Sequence, residues 1–215
     1  MKIRIMVEQI AELFEDKNTV QRIKKKLPQL FLLAELESQR AGKTGMEVGS
    51  IRERIIVSLL IYKFSEENVK TEIPITQPEV DVHLFDKPIS IKTRKGTGYS
   101  GVKLIWTVDA QNALEFQKIY QPSCDMIYTQ INWNNHGGLF FIPVEEQIKL
   151  FNELGKDDYI KLPSLGTNPR GVEISTIALR NLLENQNTLK IDINWKKENI
   201  KVNPYQRWVE LWKQD

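Results

Sequence analysis

Two side chains of opposite charge are predicted to meet across a β-hairpin. Residues 79–92 form two alternating stretches on either side of positions 86 and 87. A two-residue turn at those positions pairs Asp81 with Lys92, with their Cβ atoms roughly 5 Å apart. Four side chains then project from one face of the hairpin: Asp81, His83, Ser90 and Lys92. The other face is apolar, as expected of a hairpin that lies on a core.

The Asp81–Lys92 pair has two interpretations. In the simpler one it is a cross-strand ion pair, which contributes about 0.2–1 kcal/mol to stability. In the other it belongs to a functional site, because basic, glycine-containing loops surround it. From position 87 to position 108 there are five basic residues and no acidic one.

Glu53 adds a second carboxylate to this region. It lies on a predicted helix over residues 50–64 and shares a face of that helix with Ile56, Val57 and Leu60. A side chain on that face points toward the sheet and away from water. A carboxylate removed from water needs a positive charge, and a metal ion shared with Asp81 would supply it.

Other familiar motifs do not fit. Gly42-Lys43-Thr44 resembles the end of a phosphate-binding loop, but Glu37 stands where that motif needs glycine, and the preceding residues look helical. The two histidines, His83 and His136, are too few for a histidine metal cage. The single cysteine, Cys124, excludes an intrachain disulfide, so we predict a cytoplasmic protein.

Composition predicts a globular protein. The chain has 215 residues, of which 41% are hydrophobic and 27% charged. No apolar run is long enough to cross a membrane. The net charge of +2 lacks the strongly basic balance of many nucleic-acid binders, although the local excess of basic residues can still form a basic stripe.

Hydrophobic periodicity predicts an α/β fold with one mixed sheet. Helices are expected over about 5–40, with Pro28 in a first helical turn, and over 50–64, 110–120, the residues after Pro143 and 175–184. Strands are expected over 69–76, 80–85, 89–93, 104–108, 126–133, 139–142 and 189–195.

Together these residues resemble a known family. Glu53, Asp81 and Lys92, in an order of helix, three strands and helix over about 47–133, are similar to the active-site residues of the PD-(D/E)xK nuclease superfamily. Within it, the chain most resembles type II restriction endonucleases of the ThaI family, from the group that cuts CGCG. It departs from the superfamily pattern at Ser90, where an acidic residue is usual, and no Pro-Asp dipeptide precedes the site.

The resemblance implies a fold, an activity and an assembly. The fold would be an α/β (α+β), restriction-endonuclease-like core, with a mixed sheet flanked by helices and an N-terminal helical region. The activity would be Mg²⁺-dependent hydrolysis of double-stranded DNA at a short palindrome by a homodimer. Residues 1–215 would form one nuclease domain: a helical region (1–45), a catalytic core (46–133) and a part with DNA-recognition and dimer elements (134–215).

The resemblance also assigns roles. Asp81 and Glu53 would bind Mg²⁺, with the Ile91 carbonyl as a third ligand. Lys92 would orient or help to deprotonate the attacking water and stabilise the transition state. Ser90, which stands where an acidic residue is usual, would hold a water molecule bound to the metal ion.

Several residues are candidates for contact with DNA. Phosphate contacts are expected from residues after the catalytic strand and from one lysine in loop 42–49: Arg94, Lys95, Thr97, Lys103 and Lys43. The alternative is a mobile surface loop. Arg170 and Asn168 could recognise base edges, or form an ordinary Asn-Pro turn. Met46 could insert into the minor groove, or pack locally next to its helix.

Two other functions fit the same residues. A DNA-repair or junction-resolving nuclease would share the fold and the chemistry. A non-catalytic DNA-binding module would keep Asp81–Lys92 only as an ion pair, but it would leave Glu53 as a costly buried acid.

Overall fold

The structure, a computed structural model, describes residues 2–40, 43–45, 47–74, 77, 79–164 and 171–214. Its α-helices are α1 (Lys2–Glu15), α2 (Lys17–Glu37), α3 (Val48–Phe64), α4 (Ala110–Ile119), α5 (Val144–Leu154), α6 (Lys156–Tyr159), α7 (Thr176–Glu184) and α8 (Gln206–Trp212). Its strands are β1 (Gln39–Arg40), β2 (Lys43–Thr44), β3 (Val69–Lys70), β4 (Val82–Leu84), β5 (Lys87–Lys95), β6 (Lys103–Ile105), β7 (Asp125–Ile131), β8 (His136–Ile142), β9 (Ile160–Lys161), β10 (Val172–Ile174) and β11 (Leu189–Asn194).

A six-stranded sheet forms the centre of the fold. Its strand order is β11-β8-β7-β5-β4-β3. β5 and β7 run parallel, and the other neighbouring pairs are antiparallel. Helices cover both faces, so the predicted mixed sheet flanked by helices is confirmed.

Each face of this sheet has its own core. On one face Ile91 and Ile127 pack with apolar residues of α1, α2 and α3, including Ile56. On the other face Met126 and Tyr128 pack with residues of α5 and α7. Because successive side chains of a strand point to opposite faces, a strand covered on both sides is buried at consecutive positions, as β7 is from Asp125 to Thr129.

A second, three-stranded sheet adjoins the second core. Its order is β6-β10-β9, with antiparallel pairing throughout. Leu104 and Val172 from this sheet are buried in the same cluster as Met126 and Tyr128. The predicted strand over 104–108 overlaps β6, but the sheet itself was not predicted, because β9 and β10 have only two and three residues and are too short to show a period.

The predicted hairpin register is wrong. The turn residues are Phe85 and Asp86, whose φ angles of 49° and 64° are those of a type I′ turn. His83 consequently pairs with Pro88, and not with Ser90 as predicted. Each β4 residue therefore pairs with a β5 residue two positions earlier than predicted. Since side chains alternate with a period of two, each one still points to the face of the hairpin on which it was predicted.

Helix α2 passes through Pro28, where the sequence predicts the start of a helix. A proline inside a helix removes one backbone hydrogen bond and costs about 3 kcal/mol. Pro28 and its neighbours Leu27 and Phe31 are buried, so burial of this segment compensates for the loss.

Three predicted DNA contacts, Met46, Asn168 and Arg170, lie outside the described residues. None of the described helices combines the length and the apolar character needed to cross a lipid bilayer.

Candidate active site

The Asp81 carboxylate lies beside β5 at the point where β4 begins. Three donors from β5 approach its Oδ2 atom: the Ile91 backbone N–H at 2.5 Å, Lys92 Nζ at 3.3 Å and the Ser90 hydroxyl at 3.4 Å. Lys92 and Asp81 also form an ion pair, with side chains only 17% and 25% exposed. The structure therefore brings these two residues together, as predicted, despite the error in register.

Glu53 approaches the same region from α3. It is half-buried, in the second turn of the helix. Burial raises the pKa of Glu53, and the negative charge of Asp81 raises it further, whereas Lys92 and Arg54 lower it. Two carboxylates thus lie close enough to repel each other, an arrangement that a bound cation would stabilise.

Glu79 lies close by but has partners of its own. Its two carboxylate oxygens accept hydrogen bonds from the Tyr120 hydroxyl at 2.9 Å and the Ser123 hydroxyl at 3.1 Å. Burial raises the pKa of Glu79, and these two hydrogen bonds lower it. Both oxygens are engaged on the side of Tyr120, so Glu79 holds the segment before Asp81 in place.

The three predicted catalytic side chains line one cavity. Its volume is about 660 Å³, and Glu53, Asp81 and Lys92 form one wall. The lining also includes strand β6, with Lys103, and the residue that follows it, Trp106. The cavity therefore lies between the central sheet and the smaller one, with the carboxylates and the lysine exposed to its interior.

Gly171 fixes the smaller sheet beside this cavity. Its φ angle is 97°, and a Cβ atom there would lie 2.2 Å from the Ile105 carbonyl oxygen. Only glycine allows this approach of the backbone to β6.

The cavity offers oxygen donors for a cation. Within the described residues, no group of three or more His, Cys, Asp and Glu side chains could hold a metal ion. What the cavity lining provides is two carboxylates, Glu53 and Asp81. Such hard oxygen donors suit Mg²⁺ or Ca²⁺ and exclude a zinc site of the usual nitrogen and sulfur kind.

Two of the predicted phosphate-binding residues are engaged within the protein. The Arg94 guanidinium donates to the Gly98 carbonyl and thereby holds its own loop. Lys103 Nζ lies 3.4 Å from Glu173 Oε1 and 5.3 Å from the centre of the Trp106 ring. Both side chains remain partly exposed.

The other described candidates are more exposed. Thr97 and Lys43 are exposed, in the loop after β5 and in β2. Lys95 is 53% exposed, and its Nζ lies 3.6 Å from Oε2 of the buried Glu35. The contact of Lys95 with an acidic residue was not predicted.

A buried polar cluster around Glu35 lies next to the site and was not predicted from the sequence. Glu35, in α2, accepts a hydrogen bond from Arg52 Nη2 at 2.5 Å and another from Trp133 Nε1 at 2.9 Å. The Arg52 guanidinium carbon also lies 5.8 Å from the centre of the Phe31 ring. These contacts join residues 17 and 98 positions apart, so no local pattern signals them.

Comparison with known proteins defines the class to which this site belongs. A solved structure described as a restriction endonuclease in complex with substrate DNA is 55% identical in sequence. The match covers 95% of this chain and 98% of that one, with a TM-score of 0.90. No curated protein matches the chain. The fold and site define a restriction endonuclease, which is a site-specific deoxyribonuclease.

The family is equally clear. The sequence model of restriction endonuclease ThaI matches residues 13–214. The chain belongs to the ThaI restriction endonuclease family, and the predicted resemblance to that family, the fold class and the enzyme class are confirmed.

Proposed function

We propose that the chain is a Mg²⁺-dependent type II restriction endonuclease of the PD-(D/E)xK superfamily that cuts double-stranded DNA at CGCG. The observation that supports this most is that Glu53, Asp81 and Lys92 line a single cavity in a chain of the ThaI family. The CGCG site rests on the resemblance of the sequence to that group. We also propose that the protein is cytoplasmic. The chain is proposed to be a single domain with a helical region (1–45), a catalytic core (46–133) and a part with DNA-recognition and dimer elements (134–215).

Asp81, Glu53 and the Ile91 carbonyl are proposed to hold the metal ion. The Ile91 N–H points toward Asp81, and the N–H and C=O of one strand residue face the same side, so the Ile91 carbonyl also faces the Asp81 side of β5. Bound there, Mg²⁺ would neutralise charge on the phosphate and lower the pKa of water. The burial of Glu53 beside a second carboxylate favours such a cation.

Lys92 is proposed to act on the attacking water. Its ammonium group lies against Asp81 and faces the cavity, so it can orient the water and stabilise the negative charge that develops on the phosphate. The water oxygen attacks phosphorus while the bond from phosphorus to the leaving oxygen breaks, and no covalent enzyme intermediate forms. Ser90, which is buried and donates to Asp81, is proposed to fix that carboxylate as well as any water nearby.

DNA is proposed to lie over the cavity. Lys43, Lys95, Thr97, Arg94 and Lys103 would contact phosphates, since all five side chains are at least partly exposed. Asn168 and Arg170 remain proposed to recognise base edges. Met46 remains proposed to insert into the minor groove.

A homodimer follows from the proposed palindrome. A palindromic site has two-fold symmetry, which a symmetric dimer matches with one active site for each strand. Cleavage of both strands in a single binding event would then be expected.

Cleavage of a plasmid of known sequence tests the proposal. The protein is incubated with the plasmid in Mg²⁺ or in EDTA, and the ends of the products are sequenced. We expect discrete fragments with ends at CGCG in Mg²⁺ only. Fragments that end at another sequence would contradict the CGCG site, and absence of cleavage with every divalent metal would contradict the metal-dependent mechanism.

Two variants and a matched control accompany this experiment. Lys92→Ala and Asp81→Ala should abolish cleavage, while Lys87→Ala, in the same strand but outside the cavity, should cleave like the wild type. Mg²⁺ should also raise the melting temperature of the wild type and not that of Asp81→Ala, because only a folded state with an intact site binds the ion.

A further inference from the structure

A buried polar side chain, Arg52, links the first two turns of α3 to α2. Arg52 is the first fully buried residue of the helix, and the next, Ile56, comes one turn later. The contacts of Arg52 therefore anchor the end of the helix that carries Glu53.

Those contacts converge on Glu35. Arg52 and Glu35 have side chains only 7% and 6% exposed and form an ion pair of 2.5 Å. Glu35 also accepts the Trp133 indole N–H and pairs with Lys95. The Glu35 carboxylate in α2 thus contacts α3 through Arg52, the end of β5 through Lys95, and the turn after β7 through Trp133.

The same elements carry the predicted catalytic residues. Arg52 immediately precedes Glu53, and Lys95 follows Lys92 by three residues in β5. Glu35 links these two elements through its ion pairs with Arg52 and Lys95. A shift of α3 relative to β5 would move Glu53 away from Asp81.

We propose that Glu35 and Arg52 are positioning residues, which hold α3 so that Glu53 faces Asp81 and Lys92. This inference rests on the proposed function of Glu53. Misplacement of a reacting group by about 1 Å can lower a rate 10²-fold. Loss of the pair therefore lowers catalysis and metal binding more than it lowers DNA binding.

The double variant Glu35→Leu/Arg52→Met tests the inference. Replacement of both partners of a buried ion pair by apolar residues preserves folding in comparable proteins. We expect circular dichroism like that of the wild type, kcat about 10²-fold lower and KM for DNA little changed. We also expect a smaller rise in melting temperature with Mg²⁺ in the absence of DNA. A folded double variant with the wild-type kcat and the wild-type response to Mg²⁺ would overturn the inference.

Two further variants separate positioning from general stability. Arg52→Lys keeps the charge and should retain more kcat than the double variant. Lys63→Met removes the ion pair at the other end of the same helix, where Lys63 Nζ lies 3.4 Å from Asp16 Oδ2, and should leave kcat unchanged. An equal loss of kcat in Lys63→Met would show that any loosening of α3 suffices, which contradicts a specific role for Glu35 and Arg52.

The same experiments distinguish this inference from the proposed function. If the wild type cleaves no DNA and does not respond to Mg²⁺, the proposed function fails. If the wild type cleaves and the double variant is equally active, only the positioning role fails.

Discussion

Arg52 and Glu53 are neighbours in the sequence, yet their side chains belong to two regions of opposite character. Arg52 enters a cluster in which one carboxylate, Glu35, has two cationic partners, Arg52 and Lys95. Glu53 enters a cavity in which two carboxylates, its own and that of Asp81, face Lys92.

The difference shows how a structural ion pair can be told from a binding site. The Glu35 cluster has an excess of positive charge and an indole N–H besides, so its carboxylate needs nothing more. In the cavity two carboxylates lie near Lys92, and burial together with the negative charge of Asp81 raises the pKa of Glu53. A cation from outside would complete the second region but has no place in the first.

Substitution of Lys92 should have the largest effect. Lys92→Met removes the group proposed to act on water, and loss of a positioned acid or base commonly lowers kcat by about 10²–10⁴-fold. Single-turnover cleavage of a short duplex measures the rate. A variant that cleaves as fast as the wild type would assign Lys92 to the structural kind of ion pair.

Removal of one partner from the Glu35 cluster should mainly affect stability. Arg52→Met alone leaves Glu35 buried with a poorer set of partners, which should lower the free energy of unfolding by about 3–5 kcal/mol. Urea denaturation measures the change. Asp86→Asn is the control, because the Lys70–Asp86 pair is exposed and its loss should not be detectable.

Asp125 is a buried carboxylate that differs from those of both regions, because it has a hydrogen-bond donor but no ion pair among the described residues. Its side chain accepts one hydrogen bond, from the Val144 N–H at 2.8 Å, and burial raises its pKa from 3.8 to about 6. The folded state therefore holds this proton more tightly than the unfolded state. Stability from this group is greatest below pH 4 and is lost as the pH rises to about 6, by up to about 3 kcal/mol.

The variant Asp125→Asn isolates that contribution, because asparagine does not titrate. The free energy of unfolding of the wild type minus that of the variant should fall between pH 4 and pH 6. A difference that is constant over this range would show that Asp125 titrates normally despite its burial.

Loss of a single exposed lysine should have the smallest effect. Lys43→Ala should reduce the slope of log K for DNA binding against log salt by about 1, because one phosphate contact is lost. Fluorescence anisotropy in Ca²⁺ at several salt concentrations measures the slope. Lys118→Ala, on the exposed surface of α4, is a control that should leave the slope unchanged.

Long, periodic elements could be predicted and most short ones could not. The short strands β4 and β6 overlap the predicted strands over 80–85 and 104–108, whereas β3 covers only Val69–Lys70 of the strand predicted over 69–76. Strands β5, β7, β8 and β11 and helices α3, α4 and α7 agree with the sequence analysis to within a few residues. β1, β2, β9 and β10 have two or three residues each, and α6 has four, so none shows a period. Helix α8, whose Trp208 and Trp212 are exposed, was also not predicted as a helix.

The sequence by itself determined which side chains share a face. Alternation in the hairpin put Asp81 and Lys92 on one side, and helical spacing put Glu53 on the side of α3 that faces the sheet; both follow from local backbone geometry. Only the tertiary structure decided the turn at Phe85 and Asp86 and the contacts of Glu35. Those depend on which distant segments the topology brings together, and a partner 98 positions away leaves no trace in local spacing.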